Sequence, residues 1–197
     1  MLKKYTPVFI CVLLGLIFLF SSINSSTAKH INTYPNLPAP IGEERILITS
    51  AGQAVEGTII LTIAENLNLE ADYRPRALGT DLYDYKSVII VLGYSSNGLS
   101  HVNRSFQEEL IRTKEIVEEA KLNNLPVILI NLSGPFREEE RTWELFTYTV
   151  GYANYYIGLN NGYNMNRYKN ELKKHHVPTT LVKQLDDLHI PLNSAFR

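Results

Sequence analysis

Residues 87–93 read SVIIVLG, and the reading of this stretch decides the fold. Five aliphatic residues stand in a row between Ser87 and Gly93, with no polar residue alternating among them. A strand with one wet face alternates; an unbroken apolar run closed by glycine is covered on both faces, as in a parallel sheet. Three further runs have the same character: RILITS (45–50), VILINLS (127–133) and YYIGL (155–159). Two weaker strands are expected at ADYRP (71–75) and TTLVK (179–183).

Helical patterns fill the intervals. Residues 53–66 carry Val55, Ile59 and Ile63 at helical spacing, with Leu67 one turn on. Residues 105–123 open with a capping box, Ser105 with Glu108, and carry Phe106, Leu110, Val117 and Ala120 as the apolar stripe. Glu108 is expected to pair with Arg112 one turn later. Residues 138–152 should bury Trp143, Phe146 and Val150; 164–175 form a shorter, more polar helix; 192–196 form a small terminal piece. Alternation of this kind gives an α/β three-layer sandwich, and right-handed crossovers restrict its topology. The expected fold is flavodoxin-like (Rossmann-like): a mostly parallel sheet of order 2-1-3-4-5, with a sixth strand at an edge.

The ends suggest an address. Lys3 and Lys4 precede an apolar run from Pro7 to Phe20, which is followed by SSINSSTAK. That is the layout of a secretory signal peptide, here 1–28, with cleavage after Ala28. The rival is an uncleaved anchor, although a spanning helix needs ~20 apolar residues. Only in that case would the protein touch a membrane. Residues 29–44, beginning KHINTYPNLPAP, read as a Pro-rich extended lead-in with little to pack. A single domain then occupies 45–197, and the expected location is extracytoplasmic, secreted or membrane-tethered.

Composition excludes several chemistries. Cys11, inside the apolar leader, is the only cysteine. The folded part therefore has no disulfide, thiolate nucleophile or cysteine-held metal. The formal charge is −1 and becomes more negative by two when Lys3 and Lys4 leave. No basic block favours nucleic acid.

In such sheets ligands bind beyond the carboxyl ends of the strands, where strand order reverses. Here that point lies between strands 45–50 and 87–93. Three Ser- and Gly-rich turns meet there: TSAGQ (49–53), GYSSNGL (93–99) and NLSGP (131–135). The candidate ligand-binding residues are Ser50, Gly52 and Gln53 of the first turn, Ser95, Ser96, Asn97 and Gly98 of the second, and Ser133 and Gly134 of the third. Helix-end dipoles contribute only ~0.3–1 kcal/mol each, against about 4 for millimolar affinity. Side-chain charge must therefore help, and Arg76 and Arg137 are the expected donors. The expected ligand is a small polar or anionic molecule. No Walker or G-x-G-x-x-G sequence is present, so no cofactor is expected.

Two alternatives come from other classes. GYSSNG (93–98) is similar to a nucleophile elbow, with Asn97 where glycine belongs; Ser95 with Asp186 (or Asp187) and His189 would make a serine-hydrolase triad. Half of the 12 tyrosines fall in a short region (Tyr148, Tyr152, Tyr155, Tyr156, Tyr163 and Tyr168), offering a partner-binding scaffold on a Tyr-rich edge or amphipathic cover for the sheet. Adjacent His175 and His176 point about 100° apart on a helix and make a poor metal pair; no metal site is expected.

Three segments, ILITSAGQ (46–53), YDYKSVIIVLGYSSNGLS (83–100) and PTTLVKQLDD (178–187), carry a family likeness. Through them the chain, from Arg45 to about Phe196, resembles the secreted bacterial family grouped as domain of unknown function 6305. The family typically carries a basic residue just before the Gly-Leu pair of the second segment; here that residue is Asn97. The resemblance implies export and an α/β sandwich, and brings no activity and no catalytic residues.

Overall fold

The computed structural model describes residues 35–133, 140–160 and 165–197. Six strands form one sheet: β1 (Ile46–Ala51), β2 (Ala71–Tyr73), β3 (Ser87–Leu92), β4 (Val127–Asn131), β5 (Tyr155–Leu159) and β6 (Thr179–Val182). Their spatial order is β2-β1-β3-β4-β5-β6, and every neighbouring pair is parallel. The expected order holds, and β6 is the sixth, edge strand. All residues of β1, β3 and β4 are buried, as their unbroken apolar runs required.

Alternate residues of each strand feed two cores. Leu47, Val88, Ile90 and Leu129 face one side, against α3 (Phe106–Leu122), α4 (Glu140–Thr149) and α5 (Met165–Lys174). A 3-10 helix at Gly79–Asp84 lies on the same side, where Leu82 and Tyr85 join that core. Ile46, Ile48, Ile89, Val91, Ile128 and Ile130 face the other side, against α1 (Gly57–Asn66) and α6 (His189–Phe196). Each fully buried aliphatic side chain contributes ~1.5–3 kcal/mol, so the central strands carry much of the stability.

Among the described residues the second face carries two short helices. The described part of the lead-in completes its cover, against the expectation of an unpacked arm. Leu37 and Ile41 pack on that core, and the Ile41 and Gly42 amides both donate to Ala195 O at 2.9 Å. Thr180 Oγ1 donates to Pro35 O at 3.0 Å, and the Glu43 amide donates to Ser87 Oγ at 2.8 Å. Leu37 and Ile41 of this strap fill the gap on that face.

Two local expectations need correction. The first helix starts at Gly57, because Gly52 and Gln53 both adopt left-handed backbone (φ 96° and 59°) and cannot belong to it. Val55 is consequently 62% exposed, and the buried residues are Gly57, Ile60, Ile63 and Ala64. After β3 the chain forms a short helix that the reading omitted, α2 (Ser96–His101), whose N-terminus is capped by Ser95. Among the described residues no helix is long and apolar enough to cross a membrane.

Candidate functional site

β1 leads back to β2 and β3 leads forward to β4, so strand order reverses between them. β1 and β3 pair along their full length, down to Ala51 opposite Leu92. Beyond that point the two turns bond to each other. The Gly93 amide donates to Ala51 O at 2.9 Å, the Ser95 amide donates to Gly52 O at 2.8 Å, and Gln53 and Tyr94 form an antiparallel bridge. Two glycines permit this approach. A Cβ on Gly52 would stand 2.5 Å from Gly93 O, and one on Gly98 would stand 2.5 Å from Gln53 O.

The first turn spends its polar groups inward. The Gly52 amide donates to Glu109 Oε1 at 3.0 Å. Gln53 Nε2 donates to the same oxygen at 3.1 Å and to Pro75 O at 2.9 Å. Ser50 Oγ donates to Ala54 O at 2.9 Å and lies 3.0 Å from Tyr73 Oη. Burial pushes the Tyr73 phenol up, with the Ser50 hydrogen bond opposing it.

Glu109, and Arg112 as its partner, were missed by the sequence reading. They sit on the buried face of α3, 0% and 3% exposed. Arg112 grips the Glu109 carboxylate at two points, Nη2 to Oε1 at 2.6 Å and Nε to Oε2 at 3.0 Å. Its remaining N–H groups reach Ala77 O at 2.8 Å, Ser50 O, and Thr49 Oγ1 at 3.5 Å. The expected pairing of Arg112 with Glu108 does not form, because Glu108 closes the capping box on Ser105. That box holds the Glu108 carboxyl below its ordinary value, chiefly through the Ser105 amide. The available signal was spacing: Glu109, Thr113 and Ile116 share a helical face with Leu110 and Val117.

The second turn is more open. Ser95 Oγ accepts the Gly98 amide at 3.1 Å, while Ser96 and Asn97 are exposed. The Tyr94 amide donates to Thr142 Oγ1 at 2.9 Å. The Arg141 guanidinium lies over the rings of Tyr94 (4.8 Å) and Phe106 (5.4 Å) and donates to Tyr94 Oη. Arg104 stands 3.9 Å from Glu109 Oε2. Arg76 is exposed, between Pro75 and Ala77, whose carbonyls are held by Gln53 and Arg112. In the third turn the Ser133 amide donates to Asn131 Oδ1 at 2.9 Å and its hydroxyl donates to Leu92 O at 3.3 Å. Gly134 and Arg137 lie outside the described residues.

The members of the expected hydrolase triad follow different strands. Ser95 follows β3, whereas Asp186 and His189 follow β6, three strand spacings or roughly 14 Å across the sheet. His189 Nδ1 is instead 3.0 Å from the backbone oxygen of Asp186. Ser95 has extended backbone (φ −130°, ψ 106°) rather than the strained turn of a nucleophile elbow. The Tyr-rich scaffold also needs correction. Tyr155, Tyr156 and Tyr168 are 1%, 0% and 2% exposed, so half of that group is core; Tyr163 lies outside the described residues. Among the described residues no three His, Cys, Asp or Glu side chains are placed to hold a metal ion.

Among curated proteins none matches this chain. Two solved structures, both mutants of the esterase AlinE4, align over 71% of this chain and 76% of theirs, at 12% identity and a TM-score of 0.30. The family described as Domain of unknown function (DUF6305) matches residues 43–196, which span every strand and helix of the sheet, and the chain belongs to that family.

Proposed function

We propose that this is an exported protein that binds a small polar, anionic molecule at the carboxyl edge of its sheet, over the β1–β3 switch point. The observation that carries the reading is the set of arginines at that edge. Arg141 is anchored on Tyr94 of the second turn, Arg104 reaches the edge of Glu109, and Arg76 leaves the 75–77 corner that Gln53 and Arg112 hold. The Glu109 carboxylate beside Arg104 is already gripped by Arg112. A net-negative chain thus presents local positive charge at the place where sheets of this type bind ligands.

The magnitudes are adequate. A hydrogen bond to a charged group contributes ~1.5–3 kcal/mol, so two arginine contacts reach the roughly 4 kcal/mol of millimolar binding. Hydroxyls of Ser95 and Ser96 and the amide of Asn97 would orient the ligand. Gly52 and Gln53 support that surface from below, their donors being held by Glu109.

Thermal unfolding with carboxylates, phosphates and neutral sugars tests the reading. The anions should raise the melting temperature, and Arg104→Ala with Arg141→Ala should remove the rise. Equal shifts in wild type and double variant would contradict it. Export is tested by sequencing the N-terminus of protein recovered outside the cytoplasm: a chain starting at Lys29 agrees with cleavage after Ala28, and an intact leader contradicts it.

A further inference from the structure

Glu109 is the feature that this reading leaves unused and whose surroundings are most completely built. Four donors converge on one carboxylate: the Gly52 amide, the Gln53 side-chain amide, and Nε and Nη2 of Arg112, all at 2.6–3.1 Å. They come from the turn after β1 and from α3, and the carboxylate is fully enclosed. Gly52 and Gln53 hold left-handed backbone, and this conformation accompanies an amide aimed at Glu109. A side-on arginine fork with two coplanar acceptors is the geometry of carboxylate recognition. In sheets of this class the same position, just past the first strand at the switch point, receives an anion of the ligand.

We infer that the switch point contains a carboxylate-binding site whose resident ligand is the chain's own Glu109, and that vacating it leaves a site for a small free carboxylate of the acetate class. Glu109→Ala keeps the Cβ and removes a methylene and a carboxylate, which are the two carbons of acetate. Gly52, Gln53 and Arg112 would then face a hole of matching shape, with a buried guanidinium lacking its counter-charge. The fork accepts two coplanar oxygens, so a tetrahedral anion such as sulfate fits it poorly. In the intact protein the inner position is filled, so the outer anion of the proposed function must bind above it. The inner site stands whether or not that outer ligand exists.

The test is thermal unfolding of the full chain in sodium acetate, sodium sulfate and sodium chloride at equal ionic strength. In chloride, Glu109→Ala should melt lower than wild type by on the order of 10 °C. Acetate at about 0.1 M should raise the alanine variant by several degrees more than it raises wild type or the isosteric Glu109→Gln, whose position is filled; a shift shared by all three belongs to the outer site. Adding Arg112→Gln to Glu109→Ala should abolish the recovery. If the alanine variant does not fold in chloride, its refolding yield reads the same question: higher in acetate supports the site, equal in both overturns it. Acetate shifting the alanine variant no more than wild type, or sulfate recovering as much as acetate, would also overturn the inference. Every variant here keeps Arg76, Arg104 and Arg141, so failure here and failure of the proposed function, which is read on Arg104→Ala with Arg141→Ala, are separately visible.

Discussion

The turns after β1 and after β3 are alike in composition and opposite in use. Both are short, small and polar, and both contain a glycine that admits a neighbouring backbone. The first directs Ser50, Gly52 and Gln53 into the protein, where Ala54, Tyr73, Pro75 and Glu109 satisfy them. The second uses one hydroxyl, Ser95, to cap a helix and leaves Ser96 and Asn97 in solvent. The difference is not written in the turns. It comes from α3, which brings a carboxylate 57 positions along the chain to one turn and none to the other. A small polar turn shows only that backbone donors are available; what occupies them is decided by the elements packed alongside.

Substitutions should separate the two turns by the property they disturb. The largest effect is expected for Glu109→Ala, which strands a buried guanidinium and should cost ~3–5 kcal/mol in denaturant unfolding. A cost below 1 kcal/mol would mean that the inner turn does not depend on the pair. Gly98→Ala acts on the seam between the turns, because its Cβ would meet Gln53 O at 2.5 Å; a loss of ~1–3 kcal/mol is expected. Ser95→Ala removes the cap of α2 and should cost about 1 kcal/mol, with faster amide exchange confined to residues 96–101. Thr113→Val should have a similar size and the opposite sign, since the Thr113 hydroxyl is buried beside the Glu109 turn of α3 with no hydrogen-bond partner among the described residues. Replacing it by an isosteric methyl should stabilise by about 1 kcal/mol. The smallest effect on stability, under ~0.5 kcal/mol, is expected for exposed Arg141→Ala, which should nevertheless reduce the response to anions.

The sheet was legible in the sequence because fully buried strands leave little choice of residue. SVIIVLG and VILIN could only be covered on both faces, and the short β2 and β6 were expected from the weaker runs ADYRP and TTLVK. The capping box at Ser105 and Glu108 was legible because it is a local bond between fixed positions. What was not legible depended on long-range packing. Glu108 was given to Arg112 by i,i+4 spacing, but Glu108 belongs to the cap, and the adjacent Glu109 is turned under the sheet's edge. The start of α1 was misplaced for the same reason: Gln53 is helix-compatible by type, but its left-handed backbone and its bridge to Tyr94 take it out of the helix. The tyrosines left two readings open, a partner-binding edge or cover for the sheet, and packing decides between them residue by residue: Tyr155 is cover, its buried hydroxyl donating to Thr180 Oγ1 at 2.6 Å.

Glu109 closes the inner turn, and the outer turn is the proposed receiver of anions. Amide chemical-shift mapping of the full-length domain during titration with malonate, a small dianion, reads both at once. Saturable shifts at residues 94–98 and near Arg76, Arg104 and Arg141, with the Gly52 amide unmoved, are the expected result. Shifts scattered over the surface or gathered at the exposed lysines of α5, or a Gly52 amide that moves with the ligand, would contradict it.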